Sequence, residues 1–334
     1  MGFFNSAVGQ YIVQAVFHSA IIAIVAEGMI SLWHIQRPLL QIKFRLLSLL
    51  LPSLYLPIYF IFYPVRGGEY FQNRVSLIDF NQWLGLRLPG NLALWHLFAL
   101  LLALTTLYFL IKEAIPSLKY YFSKRHSLPA INARQFPKLD MVLTTLTKRG
   151  FTLSAMYLAP DKVPVAHTIG RRMLVISAAT IDMLDSEELE ATIAHELAHT
   201  MRQGYVIVSL LWVLRSLMFF NPVALLIFRR IINDNEKLCD DIAVSATGKR
   251  LALASALLKV SHYSAASPLA ARAGRTAVWW LIPVRNIPYH AHRELTRNRV
   301  ERIAGSNNQP DILRGDLRLV VTAGLLIVML FFAV

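Results

Sequence analysis

The chain has 334 residues, of which 55% are hydrophobic and only 16% are charged, and its formal net charge is +14. This composition excludes an ordinary soluble globular protein and an intrinsically disordered chain, because both carry more charge relative to their apolar content. The single cysteine, Cys239, excludes an internal disulfide and fits a reducing compartment.

Four apolar runs approach or exceed the length needed to cross a bilayer, which is about 20 residues. They predict membrane helices at Val8–Trp33, Lys43–Tyr63, Asn91–Ile111 and Leu317–Val334. The last of these runs is at the short end of the range. The predicted fold is therefore a mainly α membrane protein with about four transmembrane helices, three in residues 1–111 and the fourth in residues 317–334.

Basic residues are concentrated in the loop after the first predicted helix and in the segment that follows Lys112. The loop between the second and third helices has a much weaker basic bias. The positive-inside rule then places the N-terminus outside and residues 112–316 in the cytosol, as expected for a bacterial inner-membrane protein. Basic residues beside membrane helices meet anionic lipid, so the bilayer is the expected partner and nucleic acid is not.

Two features of the apolar segments need a specific interpretation. His18 and Glu27 lie within the first predicted helix, and we expect Glu27 to face headgroups, loop water or another helix near the helix end. The run Tyr205–Phe228 is apolar but contains Arg215 and the helix-breaking pair Asn221-Pro222. We expect a membrane-associated hairpin or an interfacial helix there, the alternative being a fifth spanning helix.

The cytosolic region, residues 112–316, has the pattern of a small α+β domain. Helices are predicted at Phe136–Arg149, from Asp185 to about Met201, and at Asn235–Thr247, Ala252–His262 and Tyr289–Ala304; short strands are predicted at Leu153–Tyr157 and Arg172–Ser177, and a loop at Ser264–Pro288. Asp185 and Glu188 have the spacing of a capping box at the start of the second helix.

This second helix contains the most informative motif of the chain, His195-Glu196-Leu197-Ala198-His199. Residues four apart share one face of a helix, so both imidazoles can bind one metal ion. Zinc hydrolases use this H-E-x-x-H arrangement, with the glutamate taking a proton from the attacking water. We therefore predict one zinc ion per chain, with His195 and His199 as ligands and Glu196 as the general base.

A catalytic zinc usually has a third protein ligand, and Glu236 is the favoured candidate. Asp240 lies four residues later, on the same helical face, where it can hydrogen-bond a ligand imidazole and fix its orientation. The rival third ligands are His262, His290 and His292, and Cys239 could also compete for zinc.

Three further assignments stay open at this point. A group that stabilises the oxyanion is not identified by the sequence, and His262, His292 and Arg302 are only guesses. The strand Met173–Ser177 is either an exposed edge that pairs with an extended substrate or an ordinary core strand. The four arginines of the predicted helix Tyr289–Ala304 are expected to meet lipid phosphate.

The residues that carry this interpretation resemble the BlaR/MecR-type membrane zinc metallopeptidases. The matching stretches are Val165–Gly170, Leu174–Ile176, Ser186–Leu189, Ile193–His199, Phe220–Pro222 and Glu236–Asp241. The resemblance implies zinc ligands at His195, His199 and Glu236, Glu196 as base, and a zincin-like protease domain in the cytosol between the third and fourth membrane helices. HtpX-type proteases share the zinc motif and the later Glu-x-x-x-Asp pattern.

The sequence departs from the antibiotic-sensing members of that family in two places. Those sensors have an extracellular penicillin-binding domain after the last membrane helix, whereas this chain ends at Val334, so direct β-lactam sensing by such a domain is not expected. They also often have an acidic residue shortly after the second histidine, where this chain has Arg202-Gln203-Gly204.

The predicted function is a regulatory membrane zinc endopeptidase that hydrolyses a cytosolic or membrane-proximal protein. A transcriptional repressor is one candidate substrate, because the sensors of the family signal through repressor cleavage. The alternatives are an HtpX-like quality-control protease and a non-proteolytic transmembrane sensor or scaffold with a structural zinc site.

Overall fold

A computed structural model of the chain describes residues 6–63, 65, 69–76, 80–90, 92–116, 118, 133–159, 164–169, 173–200, 202–266, 289–305 and 313–333. The described chain is mainly helical, with one mixed three-stranded sheet. It divides into two compact units, one formed by Met1–Ile111, Ser209–Asp234 and Gln309–Val334, the other by Lys112–Val208 and Asn235–Asn308. The predicted loop Ser264–Pro288 lies almost entirely outside the described residues.

The first unit contains the predicted membrane helices. Its elements are α1 (Ala7–Leu32), α2 (Pro38–Phe62), the short α3 (Glu69–Arg74) and α4 (Phe80–Gly85), and α5 (Leu94–Phe109), which continues as a π-helical turn, Leu110–Ala114. Among the described residues, three helical segments are long and apolar enough to cross a membrane: Ala7–Leu32, Pro38–Tyr59 and Leu94–Ala114. These three confirm the first three predicted spans to within a few residues at most ends.

The remaining elements follow in chain order. They are α6 (Pro137–Lys148), β1 (Ala155–Ala159), β2 (Ala166–Ile169), β3 (Met173–Ser177), α7 (Ala178–Met183), α8 (Ser186–Ala198), α9 (Arg202–Leu217), α10 (Pro222–Thr247), α11 (Arg250–Ala266), α12 (Tyr289–Gly305) and α13 (Leu313–Phe331). The last helix corresponds to the fourth predicted span. Its first turns contain the charged residues Arg314, Asp316 and Arg318, and in this it differs from the three more uniformly apolar segments.

The helices of the first unit carry polar groups at one set of ends and aromatic rings at the other. At the polar ends, Lys43 of α2 pairs with Asp316 of α13 at 2.6 Å, and the Arg318 guanidinium lies over Trp33 beside the end of α1. At the opposite end of α13, the Phe331 ring contacts the rings of Tyr59, Tyr63 and Phe71. The end of α2, the end of α13 and α3 are therefore neighbours there.

A partly buried ionic cluster joins three helices of this unit. Arg45 of α2 makes a forked contact with both carboxylate oxygens of Glu27 on α1, at 2.8 and 2.9 Å, and also pairs with Asp234 of α10. Arg230, one turn before Asp234, lies 2.7 Å from the same Glu27 carboxylate. The sequence left headgroups, loop water or another helix as the surroundings of Glu27, and the structure shows contacts with other helices.

The segment 205–228 forms two helices joined by a turn, and its association with the membrane stays a prediction. Asn221 caps α10 by accepting from the backbone N–H groups of Val223 and Ala224, and its amide donates to Ser19 of α1 at 3.0 Å. Arg215 is completely buried, and it donates to the carbonyl oxygens of Met218 and Phe219.

The end of α9 at this turn explains why the charged Arg215 is tolerated in an apolar run. The C-terminal carbonyl groups of a helix have no partner within the helix and carry partial negative charge, so a cation beside them is stabilised. The Arg215 guanidinium takes this position and also lies 5.0 Å from the centre of the Phe109 ring. After the turn, α10 is one continuous helix to Thr247, longer than the separate helix predicted from Asn235.

The second unit contains the sheet, in the order β1-β3-β2. β3 pairs in parallel with β1 and antiparallel with β2, so it is the central strand. The suggestion that Met173–Ser177 is an exposed edge that adds a substrate strand is therefore wrong, because both of its edges are occupied. The strand β2, between the two predicted ones, had no period-two pattern long enough to predict it.

Helix α8 is fixed at its start and along its buried face. Asp185 accepts from the backbone N–H groups of Glu187 and Glu188, and the Glu188 carboxylate accepts from the Asp185 N–H, which confirms the predicted capping box. Leu189, Ile193 and Leu197 recur every four residues and are buried in the core of this unit. Each such side chain contributes about 1.5–3 kcal/mol relative to an exposed position. The helix ends at Ala198, three residues earlier than predicted.

Candidate metal centre

Helix α8 presents the two histidines of the motif on one face near its C-terminal end. His195 lies in the last turn and His199 is the C-cap residue, and their ring centroids are 4.9 Å apart. Both are largely withdrawn from solvent, with side-chain exposures of 7% and 16%. The local helix thus creates the pair of nitrogen donors that the spacing predicted.

Helix α10 supplies the third donor. One Glu236 carboxylate oxygen lies 3.6 Å from Nε2 of His195, and the other lies 3.6 Å from Nε2 of His199. One ligand atom from each of these three residues can be chosen so that all lie within 4.8 Å of one another. Two imidazole nitrogens and a carboxylate oxygen form the donor set of many catalytic zinc sites, so the residues fit a zinc ion.

The second ring nitrogen of each histidine has its own neighbour on α10. Nδ1 of His195 lies 3.0 Å from the carboxylate of Asp240, which is completely buried. Nδ1 of His199 lies 3.3 Å from Sγ of Cys239. Both Nε2 atoms are consequently left facing Glu236. The structure places Asp240 where the sequence predicted it, and it places Cys239 beside a histidine rather than among the grouped donors.

Arg299 of α12 is a site residue that the sequence reasoning missed. Its Nη2 and Nε atoms donate to the two carboxylate oxygens of Asp240 at 2.7 and 2.9 Å. Its Nη1 lies 3.2 Å from Glu236, and Nη2 lies 3.5 Å from Nε2 of His195. The guanidinium therefore contacts two of the predicted ligands and the carboxylate behind one of them.

The predicted lipid role of the four arginines on this helix is wrong for two of them. Besides Arg299, Arg302 pairs with Asp241 at 2.8 Å and donates to the Lys237 carbonyl oxygen. Arg297 pairs with Glu301 on its own helix and is exposed; the Arg293 side chain lies outside the described part of the chain. Charge complementarity is the sequence signal that could have revealed these contacts, since two basic residues, Arg299 and Arg302, can pair with two adjacent acids, Asp240 and Asp241.

Burial and neighbouring charges set the proton affinity of the general-base candidate. Burial raises the pKa of the Glu196 carboxyl to about 7, although the neighbouring His195 and Arg299 charges oppose this shift. A carboxyl group with a pKa near the working pH is suited to take a proton and release it again. With a pKa of about 7, the Glu196 carboxyl can both accept and release a proton near neutral pH.

The predicted ligands titrate differently from one another. Burial opposes the charged form of His195, but Asp240 and Glu236 outweigh it and raise its pKa to about 10. Burial lowers the pKa of His199 to about 4. The carboxyl groups of Glu236 and Asp240 have pKa values far below their ordinary range, because His199 and His195 stabilise the Glu236 anion and Arg299 the Asp240 anion against the cost of burial.

Strand β2 is joined directly to the motif helix. The Thr168 hydroxyl donates to the backbone carbonyl oxygen of Glu196 at 3.1 Å. β2 pairs with β3 on one side, and within the described part of the chain no strand is paired with its other side. The edge strand nearest the motif helix is therefore β2.

The rival ligands do not join the cluster of donors. Among the described residues, His262 is exposed on α11 and is not part of the grouped donor set. The side chains of His290 and His292, rivals as ligands and, for His292, as oxyanion stabiliser, lie outside the described residues. Arg302, another guess for that role, is engaged with Asp241.

Comparison with known proteins gives a family match and several relatives. A family model described as BlaR1 peptidase M56 matches residues 90–279, more than half of the chain. A "Protease HtpX homolog" of Sulfurovum sp. is 25% identical over 212 residues, which are 52% of this chain and 77% of the relative. Another, of Pelotomaculum thermopropionicum, is 28% identical over 141 residues, 35% of this chain and half of the relative. A third, of Sulfurihydrogenibium sp., is 32% identical over 101 residues, 27% of this chain and 34% of the relative.

Proposed function

Because the chain belongs to the BlaR1 peptidase M56 family, we propose that this membrane metallopeptidase is a zinc-dependent endopeptidase with its active centre at His195, His199 and Glu236. The observation that carries the proposal is the convergence of both Nε2 atoms on the Glu236 carboxylate at 3.6 Å. Glu196, adjacent in the chain, would be the base. A zinc ion held by these three protein ligands would also be able to bind a water molecule or a substrate carbonyl.

The residues of the chain have distinct tasks in this proposal. A zinc ion held by the three donors would supply a Lewis acid that acidifies a water molecule and polarises a peptide carbonyl. Glu196 accepts the proton of the attacking water and passes it to the leaving amine. Asp240 holds the His195 ring through Nδ1, so that Nε2 keeps its direction towards the metal.

Strand β2 is the proposed docking edge for substrate. Among the described strands only β3 pairs with it, which makes its other side available for a peptide backbone in this proposal, and Thr168 fixes it to the backbone of Glu196. An extended peptide that pairs with this edge would run past the base and the metal ligands. This proposal transfers the substrate-pairing role from the central strand β3 to β2.

We further propose four transmembrane helices, with α13 as the fourth, and a protease domain in the cytosol. The module boundaries would be residues 1–111, 112–316 and 317–334, with the α9–α10 hairpin entering the membrane from the cytosolic side. The contacts Lys43–Asp316 and Arg318–Trp33 bring together the first end of α2, the first end of α13 and the second end of α1. Helix α10 links the second ends of α1 and α5, because Arg230 pairs with Glu27 and Arg229 contacts Tyr108. Helices that alternate in direction place those ends on one side, which the basic loops identify as the cytosolic face of a bacterial inner membrane.

The substrate is proposed to be a cytosolic or membrane-proximal protein, and two kinds of protease remain in competition. A regulatory protease would cleave one partner, such as a transcriptional repressor, at one site. Quality-control proteolysis would cleave many misfolded membrane proteins, and the similarity to several proteins named HtpX homologs favours keeping this second candidate. Comparing the cellular proteomes of wild type and Glu196→Gln separates the two by the number of stabilised proteins.

The test of the proposed chemistry is the same substitution, Glu196→Gln. We expect it to abolish substrate processing while most of the bound zinc is retained, since the base is lost and the ligands are kept. Glu187→Gln is the matched control, because Glu187 lies on the same helix with an exposed side chain. Unchanged processing in Glu196→Gln, together with loss in His195→Ala, would instead indicate a structural zinc site in a sensor or scaffold.

The proposed topology is tested by labelling introduced cysteines with a membrane-impermeant thiol reagent in intact cells. Arg297 and Trp83 are both exposed, at 77% for the Arg297 side chain and 57% for Trp83, and native Cys239 is buried, so background labelling is low. We expect Trp83→Cys to react from outside and Arg297→Cys to react only after the cells are opened. The reverse result contradicts the orientation.

A further inference from the structure

We infer that Arg299 is a positioning residue of the metal centre: it holds Asp240 in a forked contact and thereby fixes the ring of His195 for metal binding. This inference rests on the proposed zinc site and names a residue that neither the motif nor the family match includes. The match ends at residue 279, and Arg299 lies beyond it on α12.

The contacts of Arg299 form a chain that ends on a predicted ligand. Nη2 and Nε meet the two oxygens of Asp240 at 2.7 and 2.9 Å, and the Asp240 oxygen that receives Nη2 lies 3.0 Å from Nδ1 of His195. A planar guanidinium that contacts both oxygens fixes the plane of the carboxylate as well as its position. The orientation of Asp240, and through it that of His195, therefore depends on Arg299.

Burial makes this dependence strong. Asp240 has no solvent exposure and the Arg299 side chain has 13%, so water cannot readily replace the guanidinium. A buried carboxylate that loses its cation has no interaction that offsets the cost of its desolvation, and it then rotates or takes up a proton. Either change alters the 3.0 Å contact between Asp240 and Nδ1 that holds the His195 ring.

The position of the guanidinium also allows an opposite effect. Its Nη1 lies 3.2 Å from Glu236 and its Nη2 lies 3.5 Å from Nε2 of His195, so its positive charge stands close to the proposed metal position. Charge repulsion alone would make the metal bind more tightly when Arg299 is removed. The forked contacts with Asp240 are shorter than these two, and the inference is that orientation outweighs repulsion. The two effects differ in sign, which makes the experiment decisive.

The experiment measures Zn²⁺ affinity and the electronic spectrum of bound Co²⁺ for the full chain in detergent. We expect Arg299→Gln to weaken Zn²⁺ binding by roughly 10- to 100-fold, the usual cost of losing a partner of a metal ligand. Arg299→Lys keeps the charge but cannot fork, so it should lose most of the same affinity. Both variants should change the Co²⁺ spectrum, because the direction of a ligand has changed.

Two arginines of the same helix provide matched controls. Arg297→Gln removes an exposed charge that pairs with Glu301 on the same helix, and it should leave Zn²⁺ affinity unchanged. Arg302→Gln removes the ion pair between α12 and Asp241, and it reports what looser docking of the helix does by itself. An equal loss in Arg302→Gln and Arg299→Gln would overturn the positioning role, as would unchanged or tighter Zn²⁺ binding in a folded Arg299→Gln.

The outcomes also separate this inference from the proposed function. If thermal unfolding shows that Arg299→Gln is not folded, the Zn²⁺ affinity and the Co²⁺ spectrum of Arg299→Lys still test the positioning role. If the wild type binds Zn²⁺ and needs Glu196 for cleavage, but the Arg299 variants bind Zn²⁺ equally well, only the inference about Arg299 is overturned. Wild type that binds no Zn²⁺ overturns the metal centre and both proposals with it.

Discussion

Sγ of Cys239 lies 3.3 Å from Nδ1 of His199, on the side of the ring opposite the nitrogen that faces Glu236. The neighbouring residue Asp240 has the same relationship with His195, at 3.0 Å. Two consecutive residues of α10 therefore stand behind the two histidines of α8. Since Nδ1 of His199 meets the sulfur, Nε2 is the ring nitrogen that faces the proposed metal position, and the thiol is placed to orient the proposed ligand rather than to replace it.

Cys239→Ala is expected to weaken Zn²⁺ binding by about tenfold, the low end of the range for such partners, because a thiol forms weaker hydrogen bonds than a carboxylate. Cys239→Ser should retain most of the affinity, since the hydroxyl can still contact Nδ1. Competition with a chromogenic chelator measures both. If Cys239→Ala binds as tightly as wild type, or if Cys239→Ser alone loses the metal, the orienting role is refuted.

Much of the candidate centre could be predicted because it is encoded by helical spacing. His195 and His199, and Glu236 and Asp240, are pairs four residues apart, and an α-helix brings such residues to one face wherever it lies. The capping box of α8 was predictable for the same reason, since Asp185 and Glu188 interact within one turn. The three main membrane helices followed from length and hydropathy alone.

What could not be predicted depends on contacts between distant segments. Arg299 is 59 residues from Asp240 in the chain, so no helical spacing links the two residues. The order of the strands is another example, because periodicity shows that Met173–Ser177 is a strand but not that β2 covers its second edge. The start of α10 was missed because the helix was predicted only from Asn235, after the end of the apolar run. Arg229 and Arg230 lie inside the continuous helix, where they contact Tyr108 and Glu27.

Zinc binding at neutral pH is expected to release about one proton, with an additional fraction from Glu196. His195, with a pKa of about 10 in the metal-free protein, is protonated at pH 7 and must free Nε2 to bind the metal. His199, with a pKa of about 4, is already neutral, and Glu236 is already ionised. Between the pKa of Glu196 and that of His195, binding therefore tightens by about tenfold for each unit of pH increase.

Calorimetric titrations in buffers of different ionisation enthalpy measure this proton release directly. Asp240→Asn is the informative variant, because removing the carboxylate lowers the pKa of His195 and should reduce the number of protons released. Its affinity should also fall, since the orienting contact is weakened. Heat that does not depend on the buffer in wild type would show that His195 is neutral before the metal arrives, contrary to this prediction.

Thr168→Val is expected to destabilise the protease domain by about 1 kcal/mol, because it leaves the Glu196 carbonyl oxygen without the hydroxyl of β2 while preserving the shape of the side chain. Thr168→Ser keeps the hydroxyl and should be close to wild type. Thermal unfolding in detergent measures stability, and zinc content shows whether the ligands are disturbed. Equal stability of the valine and serine variants would mean that this hydrogen bond does not fix the strand to the motif helix.

The ionic cluster of the first unit is expected to be far more important for stability than the surface ion pair of the same helix. Arg45→Gln removes the guanidinium from Asp234, whose side chain is 2% exposed, and should cost about 3–5 kcal/mol, the usual penalty for leaving one partner of a buried pair. Lys43→Gln is the matched control, since its pair with Asp316 is 40% and 58% exposed and is worth about 0–1 kcal/mol. The double variant Arg45→Gln/Asp234→Asn should recover part of the loss, because the buried carboxylate is no longer charged. Chemical unfolding in detergent compares the four proteins, and similar small losses for Arg45→Gln and Lys43→Gln would show that water reaches the cluster and that it does not hold α1, α2 and α10 together.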